Sequence, residues 1–166
     1  MNIEWVCHPI EPVWDLNSKV LILGSFPSVK SRETKFYYGH PQNKFWRVLS
    51  AVLSSYTPLT IDEKKAMLKA NRIALWDVIA SCDVRGSADS SIKNVVPNDV
   101  NMIIKNSQIQ SIFVNGGTAA RLYDRYLLDF VGIGATKLPS TSSANASWTF
   151  ERLCEEWRVV ARELNK

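Results

Sequence analysis

Residues 19–24 read Lys-Val-Leu-Ile-Leu-Gly, a short, continuous apolar run that ends in glycine. A run of this length without polar alternation is typical of a strand that is buried on both faces. Similar runs occur at residues 73–78 and 111–115, and a last short strand is expected before Lys137. Segments with helical spacing lie between these runs. The alternation predicts an α/β fold, a three-layer αβα domain around a central, mostly parallel four-stranded sheet.

Other segments carry more local signals. Thr60 and Glu63 have the spacing of a capping box, which predicts the start of a helix. Residues 81–96 are predicted to form a long loop, and such loops in compact domains usually serve a function. Pro97 and Asp99 are expected to open a short helix. The inner stripe of a C-terminal helix is predicted to consist of Phe150, Leu153, Cys154, Trp157, Ala161 and Leu164.

The length and composition describe an ordinary globular protein. The 166 residues match one domain, so residues 1–166 are predicted to form a single unit. A hydrophobic fraction of 46% and a charged fraction of 22% exclude a mainly disordered chain. No apolar run is long enough to cross a bilayer, and the first residues lack the pattern of a secretory signal. We therefore expect a cytoplasmic protein.

Charge and cysteine content narrow the class further. A net charge of +4 and a pI of about 9.0 suit a polyanionic partner without requiring one. Cys7, Cys82 and Cys154 are odd in number and far apart, which argues against a disulfide framework and against a cluster bound by four thiolates. Cys82 and Cys154 are expected to act as small buried hydrophobic residues.

The predicted sheet also indicates where a ligand would bind. In open parallel sheets, ligands bind beyond the carboxyl ends of the strands. Four segments follow predicted strand ends, namely residues 24–43, the segment after Asp77, residues 115–117 and residues 139–145. Each segment is rich in polar, small or aromatic side chains, so we expect the four to converge on one site.

The first of these segments has the richest chemistry. Gly24 allows the backbone to approach a ligand closely, and the triplet at residues 36–38, Phe-Tyr-Tyr, offers flat faces to a planar ring. Asn43 carries both a donor and an acceptor, but it also precedes a helix that it could cap. Both roles of Asn43 stay open from the residues alone.

Two aspartates and two histidines remain to be placed. Asp77 could act as a general base or stabilise a developing positive charge, or it could cap the turn that follows it. Asp89, in the predicted loop, is a weaker candidate of the same kind. His40 is expected to position its loop, and His8 shows no functional signal.

Several stretches together resemble a known family. They are Gly-Ser-Phe-Pro-Ser from Gly24, Tyr-Gly-His-Pro-Gln-Asn-Lys-Phe-Trp from Tyr38, Leu-Trp-Asp-Val and Asn-Gly-Gly. They resemble motifs of the uracil-DNA glycosylase superfamily, closest to its hypoxanthine-DNA glycosylase branch and similar to the mismatch-specific uracil/thymine enzymes. The water-activating asparagine of the mismatch-specific enzymes falls on Phe26 here. The asparagine implicated in catalysis in the hypoxanthine branch falls on Asn43.

The resemblance implies a monofunctional DNA glycosylase that needs neither cofactor nor metal. Its expected substrate is a flipped deaminated base, hypoxanthine first, with uracil, xanthine or mismatched thymine as alternatives. Its expected partner is double-stranded or single-stranded DNA, bound by a monomer. Two other interpretations remain, a non-catalytic nucleotide-binding module and a hydrolase of free nucleosides. Lys137 leaves a lyase step open.

The resemblance also implies roles for individual residues. Asn43 and Asp77 are the expected catalytic residues. The expected base-binding residues are Gly24, Ser25, Phe26, Phe36, Tyr38 and Asn115. The expected DNA contacts come from the first motif and from a loop that resembles the DNA-inserting motif of the superfamily, and they are Ser28, His40, Lys44, Pro139, Ser140, Thr141, Ser142, Ser143 and Asn145.

Overall fold

The central element of the protein is strand β2 (Val20–Gly24), every residue of which is buried in the computed structural model, which describes residues 2–166. This strand pairs in parallel with β3 (Ile73–Asp77) on one side and with β6 (Ser111–Asn115) on the other. Strand β7 (Ala135–Leu138) pairs in parallel with β6. The order β3-β2-β6-β7 confirms the predicted four-stranded sheet, and all its pairings are parallel.

A second, antiparallel sheet was not predicted. It consists of β1 (Glu4–Cys7), β4 (Ile79–Val84) and β5 (Lys93–Pro97) in the order β1-β4-β5. The prediction of a loop over residues 81–96 is therefore wrong, because only the turn between β4 and β5 has no strand structure. That turn contains one 3-10 turn, Asp89–Ser91. The sequence does not predict these strands, because β1 and β5 are largely exposed and lack a continuous apolar run.

Helices connect and cover the strands. Within the described residues they are α1 (Val29–Thr34), α2 (Phe45–Val52), α3 (Ile61–Ala70), α4 (Val100–Lys105), α5 (Gly117–Tyr126), α6 (Leu128–Val131) and α7 (Phe150–Leu164). The predicted start of α3 is confirmed, because the Thr60 hydroxyl accepts a hydrogen bond from the Glu63 N–H at 3.1 Å. Pro97 does not open α4 as predicted. Pro97 is the last residue of β5, and Asp99 is the N-cap residue directly before the helix. Along residues 2–166, the helices lack the combined length and apolar character that crossing a membrane requires.

The C-terminal helix α7 joins the core to the loop that follows β7. It packs against α2 and β2. Phe150, Cys154 and Ala161, predicted to lie on its inner stripe, are only half-buried. Trp157 is fully buried against Phe45, and its indole N–H donates to the Pro139 carbonyl at 3.0 Å. The fully packed positions of the helix are Leu153, Trp157, Val160 and Leu164.

Replacing Trp157 by Phe tests this anchor. The variant removes the N–H donor and leaves the Pro139 carbonyl without its partner. We expect the free energy of unfolding to fall by about 1–3 kcal/mol, the cost of an unpaired buried polar group. Urea denaturation measures this, with Trp5→Phe as the control. Trp5 is 65% exposed, so its replacement should change stability by less than about 0.5 kcal/mol. Equal midpoints for the two variants would contradict the anchor.

Candidate active site

A cleft of about 730 Å³ opens at the carboxyl edge of the parallel sheet. Its size falls within the range of about 300–1,000 Å³ that is typical of small-molecule sites. The four segments predicted to converge all contribute to it, through residues 24–28, Asp77, residues 115–118 and residues 140–144. They meet there because β2, β3, β6 and β7 run parallel and end at the same edge.

The turn between β4 and β5 supplies a further wall that sequence reasoning did not place. Residues 86–90 line the cleft opposite the first loop. The Arg32 guanidinium holds the two together, because it donates to the Pro27 carbonyl at 2.9 Å and to the Gly86 carbonyl at 3.4 Å. The same guanidinium lies 5.6 Å from the centre of the Phe26 ring. The one signal in the sequence was the length of the predicted loop at residues 81–96.

A chain of hydrogen bonds centred on Thr141 joins three of the segments. The Thr141 N–H donates to Asn115 Oδ1 at 3.1 Å, and Asn115 Nδ2 donates to Thr141 Oγ1 at 3.0 Å. The Thr141 hydroxyl lies 2.9 Å from Asn43 Oδ1. The N–H of Phe45 donates to the same Asn43 oxygen at 2.9 Å. Thr141 has no exposed surface, so water does not compete for these bonds.

The donors in this chain fix the orientation of the Asn43 amide. The backbone N–H of Phe45 can only donate, so the Asn43 atom that faces it must be the carbonyl oxygen. The Thr141 hydroxyl accepts from Asn115 and therefore gives its single hydrogen to the same oxygen. Within residues 2–166, Asn43 Nδ2 has no hydrogen-bond partner, although Asn43 lines the cleft. Lys44, not Asn43, is the N-cap residue of α2. Asn43 accepts the first N–H of the helix with the oxygen of its amide and keeps two N–H donors at the nitrogen.

Asp77 is the last residue of β3 and lies on the cleft wall. Its side chain is 4% exposed, and His8 Nε2 lies 2.7 Å from its Oδ2. Its backbone carbonyl accepts from Asn98 Nδ2 at 2.9 Å, and the same amide donates to the Ile79 carbonyl at 3.1 Å. Sequence reasoning missed both His8 and Asn98, because only the pairing of β1 and β5 with β4 brings them to Asp77.

Gly24 lies where a side chain would collide with this group. A Cβ at Gly24 would overlap Asp77 Oδ1 and lie 2.8 Å from the Tyr38 hydroxyl. The Tyr38 hydroxyl is buried and, within residues 2–166, has no hydrogen-bond partner. Burial and the nearby Asp77 carboxylate raise the pKa of Tyr38, so its phenol keeps its proton. Gly24 therefore leaves room for a carboxylate and a neutral hydroxyl side by side.

The aromatic triplet divides its residues between core and cleft. Phe36, predicted to contact a base, is 3% exposed and stacks on Trp46 at 5.9 Å. That prediction is wrong, because Phe36 belongs to the core and does not line the cleft. Tyr38 does line it, with one ring face covered by Phe45 at 4.1 Å. Ser25 and Phe26 line the cleft beside the Tyr38 ring.

Only some of the residues predicted to contact DNA line the cleft. Thr141 borders the cleft but has no exposed surface, and its hydroxyl is bonded to Asn115 and Asn43, so its side chain offers no free polar group to DNA. Pro139 and Asn145 do not line the cleft and instead shape the loop, since Asn145 Nδ2 donates to the Ser140 carbonyl at 3.0 Å. Lys44 lines a neighbouring open groove with Arg47. The predicted DNA contacts that line the cleft itself are Ser28, His40, Ser140, Thr141, Ser142 and Ser143.

The described residues contain no obvious metal centre. Along residues 2–166, no three His, Cys, Asp or Glu side chains are grouped so that they could hold a metal ion. The chemical groups that line the cleft include the carboxylates of Asp77 and Asp89, the guanidinium of Arg32, an imidazole, amides, hydroxyls and aromatic rings.

Comparisons with known proteins agree on one family. Residues 12–164 match the family described as the Uracil DNA glycosylase superfamily. A protein of Methanosarcina acetivorans named hypoxanthine DNA glycosylase is 36% identical over 90% of this chain and 94% of its own length. A protein of the same name from Methanosarcina barkeri is 32% identical over 81% of this chain and 85% of its own. A solution NMR structure from Methanosarcina acetivorans matches with a TM-score of 0.81 at 35% identity, covering 95% of this chain and 97% of that one.

Replacing Gly24 by Ala tests the packing of Asp77 and Tyr38. The added methyl group must displace the carboxylate or the hydroxyl, so we expect a loss of about 1–3 kcal/mol in the free energy of unfolding, as for other overpacked sites. Gly134→Ala is the matched control, because a Cβ there meets open space. The control should be neutral or gain up to about 1 kcal/mol. Equal unfolding midpoints for the two variants in urea would show that Gly24 is not constrained.

Proposed function

The chain belongs to the uracil-DNA glycosylase superfamily, and from that membership we propose that it removes hypoxanthine, the base of deoxyinosine, from DNA. Enzymes of this class hydrolyse the N-glycosyl bond between base and sugar. Both sequence relatives described above bear the name hypoxanthine DNA glycosylase. The structural observation that carries the proposal is the orientation of Asn43, whose oxygen is occupied by the protein while its Nδ2 is not.

The cleft suits a base that has left the double helix. Enzymes that act on a base extrude it from the stack at a cost of a few kcal/mol and bind it in a pocket. Tyr38 and Phe26 line the cleft, and their rings can supply the stacking that a planar base needs.

Asn43 acts as a donor in this proposal. When the bond between the sugar C1′ and the base nitrogen breaks, its electron pair leaves with the base and positive charge develops on the sugar. An N–H from Asn43 Nδ2 stabilises the negative charge on the departing base or holds the attacking water by its oxygen. A donor that is already oriented stabilises developing charge without reorganisation. The amide oxygen has no part in the step, since Phe45 and Thr141 occupy it.

In this proposal, Asp77 supplies the negative charge that the positively charged sugar needs. Its Oδ1 faces Gly24 at the end of β2, while its Oδ2 is bonded to His8. A carboxylate there stabilises the positive sugar and accepts the proton that the attacking water loses. The water oxygen forms the new bond to C1′, and the departing base takes a proton from solvent. Phe26, at the position of the water-activating asparagine of the mismatch-specific enzymes, has no group for this role.

The outer residues of the cleft fit a DNA backbone. Ser142 and Ser143 border it on a loop whose small hydroxyls and backbone amides suit phosphate oxygens. His40 is exposed, and its Nδ1 accepts the Gln42 N–H at 3.1 Å, which leaves Nε2 as a free donor. Together with the net charge of +4, these groups support binding of DNA, with an affinity that falls as salt rises.

The proposal is tested with duplexes that carry a single hypoxanthine, uracil or xanthine. Incubation with the purified protein, followed by alkali, cleaves the strand wherever a base has been removed. We expect cleavage at hypoxanthine at a higher rate than at the other two bases. Cleavage at uracil alone would show that uracil, and not hypoxanthine, is the substrate. No cleavage of any duplex would overturn the proposed activity. Binding of free purines without any cleavage would support the nucleotide-binding module instead.

Two variants of Asn43 separate its two ends. Asn43→Ala should lower the single-turnover rate on the hypoxanthine duplex by about 10²- to 10³-fold, the usual effect of losing an oriented donor. It should also lower stability by about 1–3 kcal/mol, because the Phe45 N–H and the buried Thr141 hydroxyl lose their acceptor. Asn43→Asp keeps the oxygen that Phe45 and Thr141 bind but has no N–H donor. It should lose as much activity with a smaller change in stability.

The control for both is Asn106→Ala, which removes an exposed asparagine that does not line the cleft. This variant should retain the wild-type rate. If Asn43→Asp also retained the wild-type rate, Asn43 would not act as a donor.

A further inference from the structure

His8 lies outside every motif described above, yet its ring is hydrogen-bonded to the carboxylate of Asp77. Its Nε2 lies 2.7 Å from Asp77 Oδ2, and the two side chains are each 4% exposed. We propose that His8 is a positioning residue that holds Asp77 in one orientation, with Oδ2 occupied and Oδ1 available to the reaction. The inference rests on the proposed function, because it concerns the step in which Asp77 acts.

The hydrogen bonds of the ring identify the bonded proton. The backbone N–H of Ile10 donates to His8 Nδ1 at 3.2 Å, so this nitrogen carries no proton. A neutral imidazole has a single N–H, which must then be on Nε2. His8 therefore donates from Nε2 to Asp77 Oδ2, as a neutral donor to a charged acceptor. A doubly protonated ring would place two hydrogens between Nδ1 and the Ile10 nitrogen.

The position of the His8 ring is set by the second sheet. Cys7 pairs with Ser81 in the antiparallel β1–β4 register, and the His8 N–H continues this pairing by donating to the Ala80 carbonyl at 2.7 Å. The ring packs edge-on to Phe26 at 5.9 Å and tilted to Tyr37 at 6.0 Å. Backbone pairing and two aromatic contacts thus leave the imidazole little freedom to turn.

Asp77 is held from its other side as well. Asn98 donates to its carbonyl, and the N–H of Val78 donates to the Gly24 carbonyl at 2.8 Å. The backbone on each side of the carboxylate is therefore fixed, and its remaining freedom is rotation of the carboxylate itself. Within residues 2–166, no hydrogen bond engages Oδ1. The bond from His8 restricts that rotation and keeps Oδ1 at the face of Gly24.

Two substitutions at His8 separate the two hydrogen bonds of its ring, one to Asp77 and one from Ile10. In His8→Gln, the side-chain nitrogen reaches the position of Nε2 and can still donate to Asp77, but the bond from Ile10 is lost. In His8→Asn, the side-chain oxygen reaches the position of Nδ1 and can still accept from Ile10, but no donor faces Asp77. The two variants therefore differ in the contact that the proposal needs.

The readout is the single-turnover rate on the hypoxanthine duplex, measured beside DNA affinity and unfolding in urea. We expect His8→Asn to lower the rate by about 10- to 100-fold, as is usual when a residue that orients a functional group is lost. His8→Gln should restore most of the rate, and the affinity for DNA should change little in either. In an Asp77→Asn background, His8→Asn should cause no further loss.

The outcomes distinguish this inference from the function on which it rests. An inactive wild type would overturn the proposed function and this role together. An active wild type, with a rate sensitive to Asp77→Asn and unchanged in His8→Asn, would overturn the role of His8 alone. Equal losses in both His8 variants, in step with their stability, would make His8 a structural residue only.

Nitrogen NMR of the wild-type protein gives a second test that needs no variant. His8 should show a bare Nδ1 and a protonated Nε2, with His40, which is exposed, as the internal reference. A His8 Nε2 without a proton would overturn the inference.

Discussion

Thr141 is the residue on which the geometry of the cleft depends. Its N–H, its carbonyl and its hydroxyl are all bonded within the protein, to Asn115, to the Lys44 N–H at 2.9 Å and to Asn43. These contacts tie the end of β6 and the start of α2 to the loop that follows β7. Because Thr141 is fully buried, breaking any of them would leave a polar group without a partner, which costs about 1–3 kcal/mol. The three segments therefore keep one mutual arrangement.

That arrangement and the support of Asp77 follow the same physical rule. A group that acts on a developing charge is most effective when its orientation is fixed before the reaction. For Asn43, the fixed atom is the oxygen, and the free atom is Nδ2. For Asp77, the fixed atom is Oδ2, and the free atom is Oδ1. In both cases one half of a two-ended polar group is bound by the protein, and the other half is left for the ligand.

The sequence predicted the elements whose signal is local. The run at residues 19–24 identified the central strand because it is buried on both faces, and the shared edge of parallel strands then placed Gly24, Asp77 and Asn115 together. It could not place His8, because the contact with Asp77 depends on the register of two strands with no continuous apolar run. Nor could it separate Phe36 from Tyr38. The left-handed backbone of Tyr38, with φ of 53°, turns neighbouring aromatic residues to different sides.

The most direct test of the account is the rate at which Thr141→Val and Thr141→Ser remove hypoxanthine from a duplex under single-turnover conditions. Valine has nearly the shape of threonine but no hydroxyl, so the oxygen of Asn43 keeps the Phe45 N–H but loses the second of its two donors, and the amide is held less firmly. Serine keeps the hydroxyl. We predict a large loss of rate in Thr141→Val and a rate near that of the wild type in Thr141→Ser. A wild-type rate in Thr141→Val, with its stability lowered as expected for a lost hydrogen bond, would contradict the claim that a fixed Asn43 amide carries the chemistry.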